Sequence, residues 1–244
     1  QEITLPTTPI QDIHDEQGEI ALCILSAVNV GALNDLSELE NICDLSVRAL
    51  EQIIDYQDYP VRAAEVSTKK RRSLGIGYIG LAHYLAKNGV KYSDPKAWEL
   101  VDRLSEAFQY YLLRASCDIA EEKGKCEGFE RTKYADGLLP IDHYKKEVDE
   151  IVPHKQRMAW ESLRKDIAKY GLRHSTLSAQ MPSESSSVVS NETNGIEPPR
   201  ALLSIKKSKK GPLKQIAPGY PKLKNDYTLL WDMPNNEGYI NVVA

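Results

Sequence analysis

Apolar and polar positions follow two different periods along the chain, and together they predict an α/β protein. Apolar residues spaced by three and four over residues 34–55 predict a long amphipathic helix that ends before Pro60. Similar stripes predict a helix from Ser93 to Gly124 and another that ends at Gly171. The continuous apolar run over residues 19–31 is typical of a strand covered on both faces. Long helices between short apolar strands indicate an α/β arrangement without internal repeats.

Residues 75–80 match the spacing G-x-G-x-x-G, which occurs in dinucleotide-binding turns. That turn requires a buried strand directly before the first glycine, but the basic run over residues 65–72 precedes it here. We interpret the basic run as a mobile link. We therefore expect the glycines to allow close packing of a helix that continues to Asn88 and Gly89, rather than to bind a cofactor.

The remaining polar segments predict shorter elements. Asp142 is expected to cap a helix rich in lysine and glutamate. Residues 200–216 predict an exposed basic hairpin that turns near Gly211, and residues 235–238 predict a turn.

The segment from Arg173 to Pro199 carries the clearest candidate chemistry. Strand-like residues lead to Pro182, and hydroxyl residues with one carboxylate follow before a short helix. Free backbone N–H groups at the helix start, with serine side chains at the cap, would form a cradle for an anion such as phosphate. The alternative is a serine-rich surface turn that only caps the helix.

Charge and composition exclude several classes of function. The chain has 31 Lys and Arg against 35 Asp and Glu, a formal charge of -4, which argues against a general nucleic-acid surface. No apolar run approaches the ~20 residues of a membrane span. His14 lies among carboxylates, but no second histidine has a ligand spacing, so we prefer a solvated loop to a metal site.

Four cysteines in 244 residues do not form a disulfide scaffold and indicate a reducing, cytoplasmic location. Cys23 lies in a predicted strand, where a thiol usually acts as a small hydrophobic group. Cys43 belongs to the apolar stripe of a helix, and Cys117 and Cys126 lack metal-site spacing.

Several segments resemble the large-subunit family of class I ribonucleotide reductase, in that family's order and over essentially the whole chain. They are Gln1–Pro6, Asp55–Pro60, Arg72–Gly77, Met181–Ser186 and Asn194–Arg200. The resemblance implies part of a ten-stranded α/β barrel, made of two half-barrels with a central finger loop and long amphipathic helices outside. Residues 1–244 would be the carboxyl-side portion of this barrel, truncated at both ends.

The resemblance also implies a reaction, the replacement of the ribose 2′-hydroxyl of a ribonucleoside diphosphate by hydrogen. It implies a diphosphate site at Pro182, Ser183, Glu184, Ser185 and Ser186. Glu2 would handle the 3′-hydroxyl proton, and Cys23 would be one of two thiols that supply electrons and become a disulfide.

No metal or cofactor is expected to bind this chain directly. The family implies a radical from a metal-containing small subunit and electrons from thioredoxin or glutaredoxin. The radical-bearing cysteine of the family would precede Gln1, and its radical-relay tyrosines would follow Ala244. We therefore expect no turnover without the missing segments or a companion chain.

Two other interpretations remain open. One is a non-catalytic remnant that binds nucleotide or a partner subunit. The other is the cobalamin-dependent class of the same superfamily, although the match across the helices favours class I.

Overall fold

A small parallel sheet lies against helix and loop segments of the described chain. The computed structural model describes residues 7–12, 15–153, 155–208 and 211–244. Strand β1, Ile24–Asn29, pairs in parallel with strand β2, Leu74–Ile79. The extended segment 176–179 joins the other edge of β2 through a parallel bridge between Ile76 and Ser178. Strand β2 is therefore the middle strand of this arrangement.

Helices and a hairpin make up most of the remaining ordered structure. The helices are α1 (Glu38–Tyr56), α2 (Arg62–Arg71), α3 (Leu81–Lys87), α4 (Pro95–Lys123), α5 (Pro140–His143), α6 (Trp160–Tyr170), α7 (Glu184–Val189) and α8 (Glu237–Val243). The hairpin consists of β3 (Leu203–Ser208) and β4 (Gly211–Ile216). Short 3₁₀ turns occur at Val30–Ala32, Phe129–Arg131, Lys146–Glu150 and Leu230–Asp232.

The predicted long helices are confirmed, and their local sequence explains their ends. Helix α4 begins because the Asp94 carboxylate accepts a hydrogen bond from the Lys96 amide at 2.9 Å and Pro95 occupies the first turn. It ends at Gly124, which has a φ of 87°. Helix α6 ends in the same way at Gly171.

The core lies between one face of the sheet and the helices α1 and α4. Every second side chain of β2, at Leu74, Ile76 and Tyr78, points to this side and is buried. The Tyr78 ring meets Phe108 of α4 edge to face, with ring centroids 5.4 Å apart. Leu39, Cys43, Val47 and Ile54 of the α1 stripe are fully buried against the same layer, as the helical spacing predicted, whereas Ile53 at the edge of the stripe is exposed.

The opposite face of the sheet is lined by glycine and is partly open. Gly75 and Gly77 lie on this face of β2, and Leu25 of β1, which pairs with Gly75, keeps 47% of its surface exposed. A Cβ atom at Gly77 would lie only 2.2 Å from the Ala179 carbonyl oxygen. The prediction that the β1 strand is covered on both faces is wrong, because the helices of the described ranges pack on the other face and leave Leu25 half exposed.

Two predictions around the basic run are also wrong. Most of the predicted link lies in α2, and the glycines that follow form β2 rather than a helix. A dinucleotide-binding turn requires its glycines to follow a strand. Here the glycines at 75 and 77 lie within strand β2 itself, and Gly80, with a φ of 84°, ends it. Helix α3 begins only after that glycine.

The basic run is ordered because buried carboxylates neutralise it. Arg71 pairs with Glu19, whose side chain is almost fully buried. Arg72 donates to Glu51 at 2.7 Å through Nε and to Asp55 at 2.6 Å through Nη2. Sequence pattern alone could not reveal these partners, which lie 17 to 52 residues away along the chain.

Glu51 is the centre of an ionic cluster beneath the amino end of β2. Its carboxylate is 1% exposed and accepts hydrogen bonds from Arg72, Arg173 and His174 at 2.7–3.0 Å. Burial alone would raise the pKa of Glu51, but the hydrogen bonds from His174, Arg72 and Arg173 outweigh it and hold the pKa at about 2. Burial lowers the pKa of His174 and favours the neutral imidazole.

The helix predicted to follow Asp142 is much shorter than expected. Asp142 lies within α5 and accepts a hydrogen bond from the Leu139 amide at 2.6 Å. The lysine- and glutamate-rich residues after it form only a 3₁₀ turn. The predicted hairpin over residues 200–216 is confirmed.

Candidate functional site

The serine-rich loop follows directly from the third extended segment of the sheet. The Ser187 amide donates to the Ser183 carbonyl at 2.8 Å and closes the first turn of α7. The Ser183 side chain is buried, and its hydroxyl donates to Asn194 Oδ1 at 2.9 Å. The predicted serine cap is wrong at Ser183, because this side chain fastens the loop instead of capping the helix.

The outer surface of the loop presents hydrogen-bond donors to solvent. Pro182, Ser185 and Ser186 are exposed. The first amides of a helix have no acceptor within the helix, so the start of α7 directs N–H groups outward. Because α7 has only six residues, hydrogen bonds from these amides and the serine hydroxyls would contribute more to anion binding than the helix dipole would.

The other side of the loop is acidic and does not suit an anion. A cavity of about 400 Å³ lies there, lined by Glu184, Glu192 and Glu197 with Arg200. A carboxylate repels a phosphate group, so Glu184 suits an anion only through its backbone N–H. The two faces of the loop therefore differ in the charge they accept.

Backbone hydrogen bonds hold the loop at the carboxyl end of β2. Gly80, which ends the strand, donates its amide to the Thr193 carbonyl at 3.0 Å. Leu81 donates its amide to the Gly195 carbonyl at 3.4 Å. The carboxyl ends of parallel strands are the usual place for ligands in α/β folds.

Cys23 is exposed and lies directly before β1, on the glycine-lined face. Its sulfur is 3.6 Å from the position that a Cβ atom at Gly75 would occupy. The Met181 sulfur lies 2.6 Å from the corresponding position at Gly77. Since Gly75 and Gly77 are two residues apart, these positions differ by about 7 Å along the strand. Cys23 and the approach to the serine loop therefore share one face of the sheet.

Cys23 differs from the other three cysteines in its access to solvent. Cys43, Cys117 and Cys126 are buried. Burial raises the pKa of Cys43 to about 12 and the pKa values of Cys117 and Cys126 to about 11. These three thiols are thus unsuited to thiolate chemistry, in agreement with their predicted structural role.

Glu2 and His14 lie outside the described residues. Within the ranges that the structure describes, no three His, Cys, Asp or Glu side chains are grouped as metal ligands would be. None of the helices in those ranges has the length and apolar character of a membrane span.

A buried carboxylate, Glu192, pairs with the partly buried His83 next to the serine loop, and no sequence motif indicated this pair. Glu192 Oε2 lies 3.0 Å from His83 Nδ1. The sequence feature that could have indicated this pair is the presence of glycine at positions 31 and 80, both of which contact the Glu192 side chain.

Comparison with known proteins identifies the family. The family model for the ribonucleotide reductase barrel domain matches residues 1–234. This chain belongs to the ribonucleotide reductase family. The resemblance predicted from the short motifs is thereby confirmed.

Relatives of this ribonucleotide reductase chain are named as α subunits of ribonucleoside-diphosphate reductase. The protein from Haemophilus influenzae is 59% identical over 243 residues, which cover 100% of this chain and 32% of the relative. The protein from Buchnera aphidicola of Schizaphis graminum is 58% identical with the same coverage. The protein from enterobacteria phage T4 is 42% identical over 247 residues, again 32% of its length. The chain thus spans about a third of the length of these relatives.

Proposed function

We propose that residues 1–244 form the carboxyl-side portion of the catalytic barrel in the α subunit of a class I ribonucleotide reductase. Strands β1, β2 and the segment 176–179 would be three of ten strands in two half-barrels. The glycine-lined face supports this proposal, because parallel sheets are normally covered on both faces and helices cover only one here. In a barrel the open face would line the interior.

The proposed substrate is a ribonucleoside diphosphate, as the printed names of the relatives suggest. Its diphosphate would bind at Pro182–Ser186, with the hydroxyls of Ser185 and Ser186 and the first amides of α7 as donors. The ribose would then extend along the same face of the sheet toward Cys23. The observation that carries this proposal is the shared face of Cys23 and the serine loop.

The proposed reaction replaces the 2′-hydroxyl of the ribose by hydrogen. Two thiols supply two electrons and two protons and become a disulfide, while the hydroxyl leaves as water. Cys23 would be one of these thiols, and Glu2 would accept the 3′-hydroxyl proton while the substrate radical forms. The second thiol and the radical-bearing cysteine would come from segments other than residues 1–244.

The proposed partners follow from this chemistry. A metal-containing small subunit would supply the radical, and thioredoxin or glutaredoxin would reduce the Cys23 disulfide after each turnover. A thiol that must be reduced again suits the reducing environment of the cytoplasm.

Replacing Cys23 tests the proposal in the full-length α polypeptide with its small subunit. We expect Cys23→Ser to bind ribonucleoside diphosphate normally but to lose multiple turnover, measured as deoxyribonucleotide formed per enzyme. Cys117→Ala removes a buried thiol away from this face and serves as the matched control, with multiple turnover retained.

Two results would contradict the proposal. Normal reductant-dependent turnover by Cys23→Ser would remove the redox role of Cys23. A wild-type polypeptide that binds the diphosphate but forms no deoxyribonucleotide with its small subunit would favour the non-catalytic alternative.

A further inference from the structure

A buried carboxylate lies next to the serine loop and has no role in the reaction proposed above. The Glu192 side chain is 3% exposed, and its Oε2 atom lies 3.0 Å from Nδ1 of His83, a residue of α3 that is 14% exposed. Its other oxygen, Oε1, accepts a hydrogen bond from the Thr193 amide at 2.8 Å. Both carboxylate oxygens therefore have partners, as a buried charge requires.

Two glycines provide the space that this carboxylate occupies. A Cβ atom at Gly31 would lie 2.6 Å from Glu192 Oε2 and 2.7 Å from His83 Nδ1. A Cβ atom at Gly80 would lie 2.8 Å from Glu192 Cγ. The segments that follow β1 and β2 thus both pack directly on the Glu192 side chain.

The backbone around Glu192 connects the two ends of α7 to the sheet. The Glu192 amide donates to the Ser187 carbonyl at 2.8 Å, near the end of α7. Asn194, two residues on, accepts the hydroxyl of Ser183 at the start of α7. Between them, the Thr193 carbonyl accepts the Gly80 amide from the end of β2.

We propose that Glu192, held by His83, is a positioning residue for the diphosphate, which it does not touch itself. By fixing residues 192–194 on the carboxyl ends of β1 and β2, it sets the direction of the amides and hydroxyls at Ser183–Ser186. Hydrogen bonds to an anion depend steeply on donor direction, so a small rotation of α7 weakens them. This inference rests on the proposed function, since it assumes that the loop binds a diphosphate.

The test compares the affinities of a ribonucleoside diphosphate and of the corresponding nucleoside for the full-length α polypeptide. Glu192→Ala should weaken diphosphate binding at least tenfold, and nucleoside binding should not change, because only the phosphate donors are misdirected. Glu192→Gln should recover most of the lost affinity. Its amide oxygen still accepts from Thr193, and its amide nitrogen can donate to His83 Nδ1 once the imidazole carries its proton on Nε2.

Glu106 provides a matched control on α4. Its side chain is also 3% exposed and accepts a hydrogen bond from Trp160 Nε1 at 3.0 Å, but it belongs to the packing of α6 and not to the loop. Glu106→Gln should lower the Tm without changing the diphosphate affinity.

Several results would overturn the positioning role of Glu192. Equal diphosphate affinity of Glu192→Ala and wild type would overturn the positioning role, as would an equal loss for diphosphate and nucleoside. If Glu192→Ala does not fold, His83→Ala carries the same expectation, and unchanged diphosphate affinity in that variant also overturns the role. Wild-type protein that binds no diphosphate would instead refute the proposed function, and the present inference with it.

Discussion

Gly77→Ala should detach the third extended segment from β2, because the added methyl group has no space. The new Cβ atom would lie 2.2 Å from the Ala179 carbonyl oxygen and 2.6 Å from the Met181 sulfur. An ordinary carbon–oxygen contact needs about 1 Å more than this. The closest obstacle is backbone, so rotation of a side chain cannot relieve the overlap.

The expected loss follows from the interactions that the segment must give up. Ile76 donates its amide to the Leu177 carbonyl at 2.8 Å, and the Ala179 amide donates to the Ile76 carbonyl at 3.1 Å. Each such bond contributes about 1 kcal/mol net, and overpacking in a filled interior costs about 1–3 kcal/mol. We expect Gly77→Ala to lower the free energy of unfolding by about 3–5 kcal/mol.

Gly75→Ala is the matched control two residues away on the same face. Its Cβ atom would lie 2.6 Å from Leu25 Cδ2, the end of a half-exposed side chain that can rotate into open space. We expect a change of less than about 1 kcal/mol, since alanine also favours an extended backbone over glycine. Urea denaturation of both variants in the same polypeptide measures the difference. Equal stability of Gly77→Ala and wild type would refute the close contact between β2 and the segment 176–179.

Two further predictions concern the loop and the ionic cluster. Ser185→Ala with Ser186→Ala should weaken diphosphate binding by about 1.5–3 kcal/mol, measured by calorimetry. Ser190→Ala, whose hydroxyl bonds the Ser186 carbonyl within the same segment, should leave it unchanged, and an equal effect of both changes would contradict the cradle. The pKa of Glu51 falls from 4.5 to about 2 on folding, so its ionised form stabilises the folded state fully above pH 4.5. This contribution, up to about 3 kcal/mol of the free energy of unfolding, is lost as the pH falls toward 2. Glu51→Gln should lack this part of the acid dependence in denaturation curves between pH 7 and pH 2, and an identical slope in both proteins would argue against it.

Helical periodicity correctly predicted the amphipathic helices, in which the residues spaced by three and four are the ones that pack on the core. The stripes of α1, α4 and α6 and their glycine ends were visible in the sequence because each depends on neighbours within a few turns. The short helix after Pro182 and the basic hairpin were predicted from local turn and cap residues.

The errors arose where distant residues determine the local structure. Strand β2 has glycine on one face, so it shows no alternation of side chains, and its partners Leu25 and Ala179 are remote in sequence. Helix α2 looked like a charged link because Glu19 and Glu51, which neutralise it, lie far along the chain. Cys23 was expected within a covered strand and is exposed, because the helices pack on the other face.

The candidate site was predicted in part. The motif at Met181–Ser186 identified the loop, but not which hydroxyls reach solvent. Ser183 turned inward because Asn194 lies opposite it, a contact across eleven residues. The Glu192–His83 pair escaped notice since neither residue belongs to a recognisable motif.

The contrast between one accessible thiol and three enclosed ones has a practical consequence. In the native state an alkylating reagent should modify this segment only at Cys23, whereas each unfolded molecule offers four thiols. The number of alkyl groups found by mass spectrometry on peptides from residues 1–244 would therefore count opened molecules directly. The cysteines of this segment therefore report the unfolded fraction without any introduced label.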